Sequence, residues 1–230
     1  MKPRDARNVM AGRREPPDSL DFFPTPPWAT RALTDALAKM VEPKLNLRVA
    51  WDPAAGEGHM VGPLNEAFSY CVASDVFDYG RGYDVTDFLD PALTVGGAGV
   101  VDWVITNPPF NTALQFALRG LEFAREGVAL LVRTSWISGT GRFRDLFDPH
   151  PPTFIWQFSE RCAMVKGRFD PTASTATDYC WVIWVKGERT RGGVDFRWIP
   201  PGAKQRFTRP DDATRYGALA DAPLFEGVPA

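Results

Sequence analysis

Apolar and polar positions along this chain change period several times. After Phe22-Phe23-Pro24-Thr25-Pro26-Pro27-Trp28, the residues Trp28, Leu33, Leu37 and Met40 share one face of a 3.6-residue repeat. This predicts a helix to about Met40, with Thr25 as its N-cap and Pro26 at its first position. Short continuous apolar runs at 47–51, 70–73, 100–106 and 128–132 read as buried strands. Between the first two lie a tight turn at 54–58 and a helix near 59–68, in which Pro63 fits only the first turn. Thr112 to Gln115 reads as a capping box opening a helix to about Glu126, with Gly127 as its C-cap. Residues 138–150 read as loop and short helix. The Trp- and β-branched-rich runs at 153–158 and 179–185 predict further strands, and 194–199 an edge strand. Residues 1–19 are polar, hold five Lys/Arg and Pro16-Pro17, and predict a flexible basic arm. The tail from 200 to 230 is expected to be irregular.

Strands alternating with helices imply an α/β fold with a mostly parallel sheet and helices on both faces. A single domain over 20–199 is expected, with 138–178 containing a small insert. In such sheets ligands bind at the carboxyl ends of strands, and the two unusual motifs, at 52–58 and 107–110, both fall there.

Composition narrows the classes of function. The 230 residues are 44% hydrophobic and 23% charged, enough apolar material for a sizeable core. No run approaches the ~18 apolar residues of a membrane helix, and the N-terminus lacks a signal-peptide core, so a cytoplasmic protein away from membranes is expected. Three scattered cysteines and two histidines exclude a disulfide framework and a multi-histidine metal site, and no structural metal is expected. The net charge of −2 hides a split. Between 51 and 102 nine Asp/Glu face one Arg, whereas between 186 and 210 seven Lys/Arg face two acids. One part would suit a cationic or hydroxyl-rich small molecule and the other phosphates.

In Asp52-Pro53-Ala54-Ala55-Gly56-Glu57-Gly58, a glycine turn lets a ligand approach the backbone. As a dinucleotide fingerprint it is incomplete, because Val61 stands where Gly or Ala is wanted. Asp52 beside the turn would repel a pyrophosphate and suit a ligand with a positive amine or sulfonium, such as S-adenosylmethionine. Asp75, ending the next strand, is placed to accept hydrogen bonds from ribose hydroxyls. Asp87 and Phe88, after another strand, are placed to hold an adenine by its exocyclic amine and its ring.

In Asn107-Pro108-Pro109-Phe110, two prolines restrict the backbone and bias Asn107 towards extended conformation. The turn offers the Asn107 amide oxygen and the Pro108 carbonyl as fixed acceptors beside the Phe110 ring, a fit for a planar ligand carrying NH2. An adenine amino group is a poor nucleophile because its lone pair is delocalised. Two acceptors gripping its hydrogens would localise that pair, and positioning with electrostatics would do most of the catalysis.

These motifs resemble those of class I methyltransferases that methylate amino groups, specifically the gamma-type DNA adenine-N6 methyltransferases, and most of all their short phage and prophage forms. The resemblance runs from about Phe22 to Lys186. It makes Phe23, Pro24 and Thr25 part of an N-terminal cofactor motif, Asp52, Pro53, Ala54, Gly56 and Gly58 the glycine motif, and Asp75 the ribose acid. Asp87 and Phe88 become the adenine contact, and Asn107, Pro108, Pro109 and Phe110 the catalytic motif. It implies S-adenosylmethionine as cofactor, DNA as substrate, and a seven-stranded Rossmann-like sheet whose last strand, 179–185, is antiparallel. Gamma-type enzymes usually carry a sizeable target-recognition domain, for which little chain remains here. Sequence readout must then come from a small insert or a specificity partner, or be slight.

The loop 159–177 is the expected nucleic-acid contact, with Arg161, Lys166 and Arg168 on phosphates and Phe169 supporting or replacing an extruded base. Arg133 and Trp136 are weaker candidates for lining the target pocket. The same chemistry on an RNA base or a protein glutamine, and a non-catalytic methyltransferase-like binding module, stay open as alternatives.

Overall fold

The structure, a computed structural model, describes residues 21–93, 101–188 and 193–217. The basic arm at 1–19 and the end of the tail, 218–230, lie outside the described residues.

Among the described residues eight strands form one sheet in the order β3-β2-β1-β4-β5-β7-β6-β8. They are β1 (Val49–Asp52), β2 (Tyr70–Asp75), β3 (Asp84–Val85), β4 (Val101–Thr106), β5 (Ala124–Arg133), β6 (Phe154–Phe158), β7 (Tyr179–Val185) and β8 (Asp195–Ile199). All run parallel except β7, which lies antiparallel between β5 and β6. The antiparallel strand is the expected one. The strand count is eight rather than seven, because β8 pairs in parallel with β6 at the far edge.

The helices are α1 (Pro27–Met40), α2 (Val61–Ala67), α3 (Ala113–Phe123), the short α4 (Thr140–Arg142, continued as a π-turn to Phe147), α5 (Ala203–Phe207) and α6 (Asp212–Tyr216). Two apolar clusters cover the two faces of the sheet. One joins α1 and α2 to the sheet through Leu33, Leu37, Leu64 and Trp103. The other joins α3 to it through Phe116, Phe123, Val104 and Val128. β4 is buried along its whole length, as expected of a central parallel strand.

Several expectations are corrected. Helix α1 begins one residue later than predicted, with Pro26 as N-cap and Pro27 in the first turn. The Thr25 hydroxyl instead points at the Met164 sulfur, 4.0 Å away. Met40 ends the helix 39% exposed rather than in the core. Thr112 is the N-cap of α3 but makes no capping bond, so the capping box does not form. Gly127 is not a helix cap, since α3 ends at Phe123 and β5 begins at Ala124. It stands opposite Trp103 in the ladder, and a Cβ there would lie 2.5 Å from that indole. The glycine makes room for the Trp103 ring between strands.

The tail from 200 is not irregular up to 217. It carries α5 and α6, pinned by a buried guanidinium. Arg31 of α1 makes two 2.7 Å bonds to Asp212, also pairs with Glu66 of α2, and donates to the Phe207 carbonyl. The two carboxylates outweigh the cost of burying the charge and raise the guanidinium pKa further.

Candidate active site

The chain lays down β1, β2 and β3 in one direction and then β4 and β5 in the other, so the strand order reverses between β1 and β4. A cleft of about 400 Å³ opens there, at the carboxyl ends of these strands. Asp52 ends β1, Asp75 ends β2, and Asn107 follows β4. All three line the cleft, together with Phe23, Pro24, Thr25, Pro53, Ala54, Asp87, Phe88 and Pro109. Residues 84 apart in sequence are thereby brought to one wall.

The glycine turn is shaped by two left-handed residues, Gly56 at φ 52° and Gly58 at φ 87°. Phe22 packs against the first, where a Cβ would come within 2.5 Å of its ring. The turn is tied to β2 by the Gly56 N–H, which donates to Asp75 at 2.8 Å, and by the Ala55 N–H, which donates to the Ser74 carbonyl. Gly56 and Gly58 thus shape the turn from behind and are not in the cleft wall.

Asp52 is 1% exposed. Burial raises its carboxyl to about 7, against which the neighbouring Thr106 side chain and then the Ala54 N–H at 3.3 Å are weak counterweights. Burial also raises Asp75, although the Gly56 and Phe77 N–H groups donate to it. Among the described residues no arginine or lysine pairs with either. The cleft therefore holds two carboxylates short of positive charge, a donor set suited to a ligand carrying a sulfonium or ammonium and to hydroxyl donors.

Asp87 is exposed at the cleft rim and accepts from the Leu89 N–H at 2.8 Å. Phe88, 1% exposed, stacks edge-on to Trp51 with ring centroids 5.1 Å apart. Its ring anchors the cleft floor to the core.

At the other wall the Asn107 amide has two unlike ends. Its Nδ2 donates to the Phe23 carbonyl at 2.8 Å and faces the Met164 sulfur at 3.6 Å. Its Oδ1 is buried without a hydrogen-bond partner among the described residues. Such a group is costly unless a ligand completes it. Pro108 is buried, and Phe110 is half-buried with its N–H donating to Asp21 at 2.6 Å. Phe23 packs on the Phe110 ring at 5.2 Å.

The expected nucleic-acid loop lies over this wall. The Gly167 N–H donates to the Phe22 carbonyl, and Met164 reaches Asn107. Arg161, Lys166 and Arg168 are exposed on it, Arg161 donating to the Thr175 carbonyl and Arg168 lying 3.6 Å from Asp170. Phe169 is not offered to solvent, being 8% exposed and packed 6.0 Å from the His59 ring. Trp136 packs on Phe147 rather than on Phe110, while Arg133 does reach Phe110.

His59 and Met60 line the cleft and were not anticipated as site residues. His59 is buried with its pKa lowered by desolvation, bonded through Nε2 to the Tyr216 carbonyl of α6 at 3.0 Å, and its Nδ1 has no partner. A histidine directly after the glycine turn was the available signal. Its orientation depends on α6, which local patterning did not predict.

Among the described residues no group of three or more His, Cys, Asp or Glu side chains is placed to hold a metal ion, and no helix is long and apolar enough to cross a membrane. All three cysteines are buried and free.

No protein-family model and no curated protein sequence matches the chain. Solved structures do. One is a class I S-adenosylmethionine-dependent methyltransferase from Listeria monocytogenes, with TM-score 0.57 and 13% identity, covering 86% of this chain and 70% of that one. Another is the methyltransferase subunit of a type I restriction-modification system from Streptococcus thermophilus, with TM-score 0.55 and 12% identity, covering 72% of this chain and 45% of that one. A third is an RNA methyltransferase from Pyrococcus horikoshii, with TM-score 0.53 and 18% identity, covering 76% and 91%. This chain thus spans less than half the length of the Streptococcus subunit. At these identities the likeness establishes the fold, which is that of class I methyltransferases.

Proposed function

We propose that this protein is an S-adenosylmethionine-dependent methyltransferase that acts on the N6 amino group of adenine in DNA. The observation that carries this reading is the unequal Asn107 amide. With its donor end held by Phe23, its acceptor end is left buried, unpartnered and at the wall of a cleft suited to a cationic ligand.

The cofactor assignment fits the donor set. Asp52 would face the positive end of the molecule, Asp75 its ribose hydroxyls and Asp87 its adenine amine, while the Phe88 ring, turned into the core, supports the floor rather than stacking on the adenine. Phe23, Pro24 and Thr25 would close the cleft, while Gly56 and Gly58 shape the turn behind it. When bound, S-adenosylmethionine supplies a methyl group on a positively charged sulfur, and that carbon–sulfur bond breaks as the group passes to the acceptor nitrogen. Asn107 Oδ1 and the Pro108 carbonyl would accept the two amino hydrogens, drawing the nitrogen lone pair out of the ring. Pro109 keeps the turn rigid and Phe110 supports the ring. The methylated ammonium is acidic and loses its proton to water, so no side-chain base is required.

A nucleic acid is favoured by the exposed Arg161, Lys166 and Arg168 beside the Asn107 wall, and DNA by the order of the motifs along the chain. Sequence readout would then fall to this small loop or to a separate specificity partner.

The test is transfer of isotope-labelled methyl to DNA, RNA and protein, followed by nucleoside and amino-acid analysis. N6-methyladenine in DNA is expected, and Asn107→Ala should lower its formation about a hundred- to a thousandfold. Label found only in RNA or in glutamine would move the acceptor assignment. A protein that binds no S-adenosylmethionine would end the enzymatic reading.

A further inference from the structure

One face of the Phe110 ring is already occupied. The Arg133 guanidinium lies over the ring with its central carbon 3.9 Å from the centroid, which is contact distance. A planar group on that face cannot coexist with it. Arg133 is the last residue of β5 and stands opposite Tyr179 in the β5–β7 ladder. The Tyr179 side chain hydrogen-bonds to it. The Phe110 backbone is fixed by Asp21 and its ring by Phe23. Three elements therefore set the contact, yet Arg133 remains exposed to solvent on its outer side.

We infer that Arg133 holds the place of the acceptor ring on Phe110 and yields it only to a group that stacks well. This deepens the proposed function and rests on Phe110 being the stacking partner. The magnitudes favour such an exchange. An exposed cation–π contact changes an equilibrium constant about two- to fivefold. A base stacked on an aromatic ring is worth from about fivefold to more than a hundredfold. A nucleobase displaces the guanidinium, whereas a glutamine amide, with no ring to stack, does not. Arg133 is thus a specificity-determining residue, one that biases the site towards planar ring acceptors.

Adenosine is the probe, because it has no phosphate to attract an arginine by charge. With donor product present, its affinity for wild type, Arg133→Ala and Arg133→Lys is measured by calorimetry. Arg133→Ala should bind adenosine about two- to fivefold more tightly, and Arg133→Lys, which keeps the charge but not the planar group, should fall between. Donor affinity should stay within about twofold in both. In wild type the ring-current-shifted Arg133 Nε–H resonance should move to an ordinary position as adenosine saturates. Equal or weaker adenosine binding by Arg133→Ala overturns the inference, as does an unmoved resonance or a protein that binds donor but no adenosine. Failure of wild type to bind the donor at all would instead count against methyl transfer itself.

Discussion

The Asn107 side chain does two jobs that a carboxamide alone can combine. One end is anchored as a donor, and the other stays an acceptor whatever the pH. Asn107→Ala should lower methyl transfer about a hundred- to a thousandfold, the scale of losing one oriented hydrogen-bonding group at a reacting centre. Donor affinity measured on the same variant should change less than about twofold. Asp52 adds a pH dependence. Its folded-state pKa lies near 7 against 3.8 for a free carboxyl, so between those values the folded protein holds a proton the unfolded chain has lost. Its contribution to the stability of the ligand-free protein is therefore present at low pH and lost as pH rises through about 7. A cationic donor needs the ionised form, so its affinity should change oppositely, weakening about tenfold from pH 8 to pH 6 as the competent fraction falls. Titration calorimetry across that range checks this, and Asp52→Asn should flatten the profile. A carboxyl at a strand end was visible in the sequence, whereas its titration depends on burial among distant residues.

At the scale of elements, the C-terminal pair α5 and α6 is held by one guanidinium. Arg31 and Asp212 side chains are 7% and 4% exposed, so Arg31→Ala leaves Asp212 without its guanidinium in the interior, while Glu66 keeps Arg209. This should cost about 3–5 kcal/mol in denaturant unfolding. Because α6 also positions His59 through the Tyr216 carbonyl, the variant should lose donor affinity as well. Thr112→Ala tests the opposite expectation. Its hydroxyl makes no capping bond to α3, so the loss should stay below the ~1 kcal/mol typical of a working N-cap. Gly127→Ala would drive a methyl group into the Trp103 ring and should destabilise by about 1–3 kcal/mol. The strands β1, β2, β4 and β5 were legible as continuous apolar runs because both faces of a central parallel strand are covered. α5 and α6 were not, since five residues make too short a sample for a helical period and their stability comes from Arg31, more than 170 positions away.

Across the whole molecule, the charge split of the sequence is partly neutralised by pairing at the surface. Much of the basic segment at 186–210 is paired with acids or carbonyls at the surface of the fold. Arg197 pairs with Asp195, Arg206 with Asp35 and Arg209 with Glu66, while Lys186 donates to the Ala124 carbonyl. If nucleic acid binds the loop over Asn107, Arg168→Ala should lower the slope of log affinity against log salt by about one phosphate contact. Arg209→Ala should leave that slope unchanged, and filter binding at several salt concentrations separates the two.

What the sequence determined by itself was local. Apolar run lengths set the strands, two motifs at strand ends marked the cleft, and the residue types in them set its chemistry, because each depends on near neighbours in the chain. Tertiary structure alone decided the rest. It placed Arg133 on Phe110, buried Asp52 to a near-neutral pKa, turned Phe169 inward against His59, and folded the C-terminal segment onto α1. Each of these depends on burial or on a contact between residues far apart in sequence, and neither quantity exists until the sheet has brought its strands together.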